Sequence, residues 1–175
     1  HRYPPERSRR NEDREDDDGP RGADLIIRDL VRGADLHFGN VSEFAWRDEG
    51  SLLAMITSAE GRVGNGVRLL DPATGRLRTL DSADAVYSGL AWREDADDLA
   101  AFRSFENEDY EGDSHSLLAW RNLGSLDRQD DGFFQFVPNQ SAGFPAEMRI
   151  VSFRRPEWTE DGRAVLFGIQ PWDRK

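Results

Sequence analysis

From residue 24 onward, hydrophobic residues occur in short runs that turn-forming residues separate. The runs are rich in Leu, Val, Ile and Phe and are bounded by Gly, Asp, Asn or Pro, which is typical of β-strands. No window keeps the i, i+3, i+4, i+7 spacing of an amphipathic helix. The pattern therefore predicts an all-β chain, with strands at residues 25–30, 41–46, 52–57, 66–70, 76–80, 87–92, 99–102, 116–121, 133–137, 148–153 and 164–169.

Three segments of the chain share one plan: an apolar strand that ends in Trp, an acidic turn, and a second apolar strand. They are residues 44–54, 90–100 and 156–166. A second landmark, an Asp with a Gly four positions later, occurs at Asp29 and again at Asp71. Two landmarks that repeat in the same order, with a period of about 40–50 residues, indicate the four-stranded blades of a β-propeller.

Each part of the repeat has a physical role that a blade requires. Trp46, Trp92 and Trp158 end the first strands, where a large ring fills space between neighbouring blades. Residues 52–56 are apolar at every position, as expected for a strand that is covered on both faces. Packing is the simpler explanation of the three Trp residues, and stacking on a ligand is the alternative.

Composition divides the chain into two parts. Residues 1–22 are dominated by Arg, Glu, Asp and Pro, which predicts a charged disordered loop or linker. Residues 23–175 are predicted to be a propeller fragment of about three blades' worth of strands, fewer than the four to eight blades of a closed ring. The expected partition is a half blade at 23–40, blades at 41–84 and 85–147, and a half blade at 148–175.

The incomplete ring has two expected consequences. The terminal blades would leave strand edges and apolar faces unpaired, so we expect the isolated chain to associate. Polar insertions at residues 106–113, 124–132 and 139–145 lengthen the connections between Trp92 and Trp158. Such insertions are expected in loops at the rim of the array, often its binding face.

Charge and composition exclude several classes of function. The 175 residues carry 34 Asp and Glu against 23 Lys and Arg, a net charge of −11, without the basic stripe that nucleic-acid binding needs. No apolar run approaches the length of a membrane-spanning helix. The absence of Cys excludes disulfides, zinc–thiolate sites and Cys nucleophiles, and is compatible with either cytoplasm or periplasm.

The turns after the three Trp residues resemble those of TolB-type and prolyl oligopeptidase propellers, where the usual sequence is Trp-Ser-Pro-Asp-Gly. Here they are WRDEG, WREDA and WTEDG, all without the Pro, and the second without the Gly. The strings at residues 63–75 and 87–93 also resemble propellers fused to bacterial peptidases of the prolyl oligopeptidase family. The resemblance covers residues 24–175.

The resemblance implies a non-catalytic propeller segment of a serine peptidase. In that family the propeller gates and orients peptide substrates for an α/β-hydrolase domain with a Ser-Asp-His triad, which is expected outside this chain. The alternative is a TolB-like propeller that binds a protein partner and has no enzymatic activity. Resembling bacterial proteins are commonly exported, which implies a periplasmic or secreted location.

Two clusters resemble functional motifs only in part. Gly112, Ser114 and Ser116 approach the Gly-x-Ser-x-Gly elbow of serine hydrolases, but the final Gly is missing and the α/β context is absent. Asp127 and Asp131 belong to an acidic group, with Asp130, that lacks the alternating ligands and the final Glu of a calcium loop.

The remaining candidates are single polar residues or loose groups. Glu106, Glu108 and Asp109 form an acidic cluster that alternates, unlike the paired glutamates that hold the substrate amino terminus in some dipeptidyl peptidases of the family. His37 and His115 stand alone, as hydrogen-bonded structural histidines usually do. We therefore predict no catalytic, cofactor-binding or metal-binding residue in this chain.

Overall fold

The computed structural model describes residues 21–47, 51–124 and 132–174, and regular structure in these ranges is almost wholly β-strand. Most of the predicted N-terminal linker and the acidic group at 127–131 lie outside the described residues. The prediction of an all-β chain built from four-stranded antiparallel blades is confirmed. A five-stranded sheet, which contains one blade and an additional strand, is followed along the chain by a four-stranded sheet.

The first sheet is an antiparallel meander whose strands lie side by side in chain order. The last four strands form one blade, and the first strand pairs with the N-terminal half of the second. The second strand runs unbroken across residues 40 and 41, where the expected partition separates a half blade from a blade. The strands are β1 Ala23–Arg28, β2 Asp35–Trp46, β3 Leu53–Thr57, β4 Gly66–Asp71 and β5 Arg76–Ser82.

The two Asp–Gly landmarks make the same turn. Asp29 ends the β1 hairpin by accepting the backbone N–H of Val31 at 2.8 Å, and Asp71 accepts that of Ala73 at 2.9 Å. In each turn the Gly four residues later donates its N–H to the Asp carbonyl at 2.8 Å. Both Gly residues have φ near +70°, a conformation that costs Gly little. The repeat in sequence is therefore a repeat in structure.

The second sheet has the same plan, with β6 at the inner end and β10 at the outer end. A two-residue strand, β8, lies in the polar connection between the two central strands of this sheet. The sequence predicts a loop for this connection. The strands are β6 Tyr87–Trp92, β7 Leu99–Glu106, β8 Tyr110–Glu111, β9 Asp113–Trp120 and β10 Phe133–Phe136.

The rest of the chain forms short strands rather than a third full sheet. The strands predicted at 148–153 and 164–169 are shorter than expected. Two further strand pairs were not predicted: residues 157–158 pair with 165–166, and residues 110–111 pair with 173–174. The elements are a 3-10 helix at Pro138–Gln140, β11 Met148–Ile150, β12 Glu157–Trp158, β13 Val165–Leu166, β14 Ile169–Pro171 and β15 Asp173–Arg174.

The main hydrophobic core lies between the two sheets. Ala54, Ile56 and Val67 of the first sheet pack with Leu99 and Leu118 of the second, and all five are fully buried. The other face of β3 is also covered, so every residue of this strand is buried, as its continuous apolar sequence predicted. Burial of this kind contributes about 25 cal/mol per Å² of apolar surface and is the main force that holds the sheets together.

The Trp residues that mark the repeat connect one unit to the next. The indole N–H of Trp92 donates to the carbonyl oxygen of Ala45 at 3.0 Å, and that of Trp158 donates to Ala91 at 3.1 Å. In both cases the acceptor is the residue just before the preceding Trp, so the rings occupy equivalent positions. Trp46, the first of the series, is 41% exposed, and its indole N–H has no partner among the described residues.

A carboxylate reinforces this link at the start of β6. Gly89 and Leu90 form a β-bulge opposite Ala101, which frees their backbone N–H groups from the strand ladder. The carboxylate of Glu43, on β2, accepts both, at 2.8 and 3.1 Å. Gly89 has φ +74°, and a Cβ there would lie 3.1 Å from Pro156, so both backbone and space favour Gly.

Arg residues that directly follow the Trp residues reach the next acidic turn. Arg47 forms an ion pair with Asp97, and Arg93 donates to the carbonyl oxygen of Glu160 at 3.2 Å. In the third unit Thr159 replaces the Arg, and its hydroxyl bonds instead to Asp161 within its own turn, at 2.7 Å. The Trp ends of the three units are therefore joined by two successive Arg contacts.

The Trp92→Phe substitution tests the indole link. It removes the N–H that pairs with the Ala45 carbonyl, so we expect it to lower the free energy of unfolding by about 1 kcal/mol more than Trp46→Phe does, because a buried hydrogen bond contributes about that much. Urea unfolding of both variants measures the difference. Equal losses of unfolding free energy in the two variants would show that Trp92 stabilises the fold through packing of its ring and not through the indole hydrogen bond.

Candidate functional site

A cleft of about 570 Å³ opens at the end of the second sheet that lies away from the Trp turns. The start of β6, the end of β7 and the start of β9 form its floor, and the segment after β11 forms a wall. Arg62, in the turn between β3 and β4, reaches the cleft from the first sheet. Two sheets and the C-terminal segment therefore contribute to one site.

The cleft carries charges of both signs. Glu106 and Asp113 lie directly opposite each other in the β7–β9 register, and Arg62 forms an ion pair with Glu106 at 3.3 Å. Burial raises the pKa of the Asp113 carboxyl, and the nearby negative charge of Glu106 raises it further. The charged form of Asp113 is thus disfavoured mainly by burial and further by Glu106, so a cationic group beside it is favourable.

Arg149 is held in place beside Asp113. Its guanidinium donates to the carbonyl oxygen of Asp113 at 2.7 Å and lies over the ring of Trp172, 5.5 Å from the centroid. Trp172 in turn stacks on Tyr110 with the ring centroids 5.0 Å apart. A Cβ on Gly112 would lie 2.9 Å from the guanidinium, so Gly at this position makes room for it. A cation fixed in this way is preorganised to meet an anionic group.

The segment that resembled a nucleophile elbow is extended strand. Ser114 and His115 are the second and third residues of β9, and they are 1% and 7% exposed. The Ser114 hydroxyl accepts the N–H of Ile150 at 3.3 Å, and His115 Nδ1 lies 2.9 Å from the Ile150 carbonyl oxygen. Since a carbonyl oxygen only accepts, Nδ1 carries the proton. Both side chains thus fasten β11 to β9, and Ser114 does not lie at a strand-to-helix turn.

The structure separates the acidic cluster noted in the sequence. Glu106 lines the cleft, whereas Glu108 and Asp109 are exposed in the turn before β8 and do not line it. His37 lies on the exposed part of β2, opposite Ile26 of β1. Across the described ranges, no three His, Asp or Glu side chains come together as a metal-binding group. That none of these residues is catalytic stays a prediction.

Sequence reasoning missed Asp113, Arg149 and Arg62 as lining residues. Asp113 ends the polar insertion that was expected at a binding rim, which is the one indication available for it. Arg149 meets Asp113 only through a contact across 36 positions of sequence, which no local pattern indicates.

The part of the chain that the structure describes holds no helix of the length and apolarity needed to cross a membrane.

The solved structures to which this chain is similar include propeller-containing peptidases. The acylaminoacyl peptidase of Pyrococcus horikoshii has a TM-score of 0.45 at 13% identity, and the match covers 73% of this chain and 21% of that one. The β-propeller domain of the Trilobed protease from Pyrococcus furiosus has a TM-score of 0.47 at 14% identity, with 86% and 46% covered. An acylaminoacyl peptidase in complex with a chloromethyl ketone has the same score and identity, with 86% and 26% covered.

The chain thus spans less than half the length of these structures. No protein-family model matches the chain, and no curated protein matches it in sequence. The class that the fold defines is an all-β array of antiparallel propeller blades.

The buried His115 predicts how stability depends on pH. Burial lowers its pKa, so the unfolded chain binds a proton near pH 6.5 that the folded chain binds only at lower pH. The free energy of unfolding should therefore fall as pH decreases from about 7.5 to about 5.5. In the His115→Asn variant an amide N–H replaces the Nδ1 donor to Ile150 and does not titrate, so the fall should be smaller.

Urea unfolding across this pH range measures the effect, and His37→Asn, at the exposed position, serves as the matched control. The groups that face His115 are Asp113, Arg149 and the Phe102 ring, and all three are unchanged in both variants. Parallel pH profiles for the wild type and His115→Asn would contradict the prediction.

Proposed function

We propose that this chain is a non-catalytic propeller segment of a prolyl-oligopeptidase-like serine peptidase, and that its cleft holds and orients peptide substrates for a hydrolase domain outside this chain. The repeated turns in which acidic residues follow Trp, WRDEG, WREDA and WTEDG, support this kind of propeller. The single observation that carries the proposal is the cleft at the end of the second blade, where fixed charges of both signs face one space.

The chemistry of the cleft fits a peptide better than other ligands. A peptide offers opposite charges at its two ends and a hydrogen-bonding group at every residue. The cleft is lined by an acidic pair, Glu106 and Asp113, and by the guanidinium of Arg149. Ser88 and Gln170 also line it. A phosphate-rich ligand would meet the acidic pair and the net charge of −11, both of which repel it.

The burial of Ser114 supports a role for this chain in binding peptides, with hydrolysis carried out by another domain. A serine nucleophile needs an accessible hydroxyl and a neighbouring base, whereas the Ser114 hydroxyl is buried and engaged by a backbone N–H. Binding without cleavage is therefore the role that we propose for this chain. We therefore expect the chain alone to bind peptides and not to hydrolyse them.

A second candidate is a TolB-like propeller that binds a protein partner and has no hydrolase. The exposed rings of Phe133, Phe134 and Phe153 favour it, since exposed aromatic residues are enriched at protein interfaces. The sequence downstream of Lys175 in the parent gene separates the two candidates. A Gly-x-Ser-x-Gly elbow followed by Asp and His supports the peptidase, and its absence supports the binding module.

Binding of tetra-alanine with free termini tests the role of the cleft. We expect Arg149→Met to weaken binding at least about tenfold, because a charge-assisted hydrogen bond to the peptide carboxylate is lost. Chemical-shift changes of fluorine-labelled Trp172, which contacts Arg149, report binding at this place.

Arg32→Met is the matched control, since Arg32 is an exposed Arg in the β1–β2 turn, away from the cleft. Equal affinity of the wild type and Arg149→Met for the peptide would show that the cleft is not the peptide-binding site. Hydrolysis of the peptide by this chain alone would overturn the proposal as a whole.

A further inference from the structure

The two sheets differ in how they protect their outer edge strands. β5, the outer strand of the first sheet, carries Arg76, Arg78 and Asp81 and has a bulge at Leu80. Charges and bulges are the usual devices that prevent an edge strand from pairing with another chain. β10, the outer strand of the second sheet, has the sequence FFQF and pairs with β9 without a bulge. It has neither device.

The free edge of β10 presents a defined set of backbone groups. The carbonyl oxygen of Gly132 accepts the N–H of Arg121 at 3.0 Å, which fixes the phase of the β9–β10 ladder. In an antiparallel pair only alternate residues bond to the neighbouring strand. Phe134 and Phe136 therefore bond to β9, whereas the N–H and C=O groups of Phe133 and Gln135 point to the free side.

The side chains of this edge are also exposed and apolar. Phe133 and Phe134 are 45% and 58% exposed and point to opposite faces of the sheet. The Phe133 ring lies 5.6 Å from that of Trp120 on one face. On the other face Phe134 borders an apolar groove of about 420 Å³, whose lining includes Leu117 and Trp158.

We propose that β10 is a self-association edge, where two copies of this chain pair their β10 strands antiparallel about a two-fold axis through Phe134. This register places Phe133 opposite Gln135 of the second copy, so the outward backbone groups of both residues form four hydrogen bonds. It also places Phe134 opposite Phe134 of the second copy, an aromatic cross-strand pair. The two sheets become one continuous sheet of eight strands.

A second copy is the occupant that we propose, because the outward backbone groups of Phe133 and Gln135 lie symmetrically about Phe134 and pair with those of an identical strand. An unrelated extended segment would satisfy the same backbone groups, but only another β10 buries Phe134 of both chains in one contact. β10 also carries no charge, so two chains of net charge −11 meet without like charges at the shared edge. The surface is separate from the cleft, so the proposal does not rest on the proposed function.

Sedimentation of the full chain over a range of concentrations tests the proposal. We expect a reversible equilibrium between the 19.9 kDa monomer and a species of twice that mass, with nothing larger, because a two-fold contact closes. The Gln135→Pro variant removes an outward N–H, and Pro is tolerated where an edge N–H faces solvent. It should raise the dimer dissociation constant at least about tenfold.

Phe134→Lys is the second variant, since it places two positive charges next to each other at the two-fold axis. If Gln135→Pro lowers the urea midpoint of unfolding, Phe134→Lys tests whether the dimer depends on β10. Leu77→Lys on β5, where Leu77 is 41% exposed, is the matched control and should leave the dimer unchanged. A monomer at all concentrations, open-ended oligomers, or a dimer that survives both variants would overturn the proposal.

Discussion

The hydrogen bond from a Trp indole to the carbonyl of the preceding unit sets the geometry of the molecule. It joins Trp92 to Ala45 and Trp158 to Ala91, and it holds neighbouring inner strands at a fixed distance. Hydrophobic burial supplies most of the stabilisation but no direction, whereas this bond specifies which residues face each other. Because it ties the units at one end, the shape of the opposite end, where the cleft lies, follows from the turns and insertions between strands.

Much of the fold could be predicted because local chemistry and the global repeat agree. Asp29 and Asp71 were predicted from spacing alone to start equivalent turns, and they make the same hydrogen bonds. The apolar run of β3 predicted burial on both faces for the same kind of reason, since only a strand between two layers is apolar at successive positions. The indole bond was not predicted, although Trp92 and Trp158 do contact the preceding unit, as the packing interpretation expects. Trp46 is 41% exposed.

The C-terminal part and the cleft could not be predicted in the same way. Beyond residue 147 the buried apolar residues pack on β7 and β9 rather than in long ladders, and Phe153 and Leu166 stay exposed. The runs at 148–153 and 164–169 therefore give only short strands. The cleft depends on strand register, which brings Asp113 opposite Glu106 and leaves Glu108 outside. Glu106, Glu108 and Asp109 are neighbours along the chain, whereas the fold places Glu106 opposite Asp113 in the β7–β9 pair.

Hydrogen exchange of the Trp indole N–H groups, followed by nuclear magnetic resonance, tests the central claim most directly. If the units are equivalent and linked as described, the indole protons of Trp92 and Trp158 exchange slowly, and that of Trp46 exchanges at a rate close to that of a free indole. Rapid exchange at Trp92 and Trp158, or equal protection at all three positions, would contradict the account of linked, equivalent units.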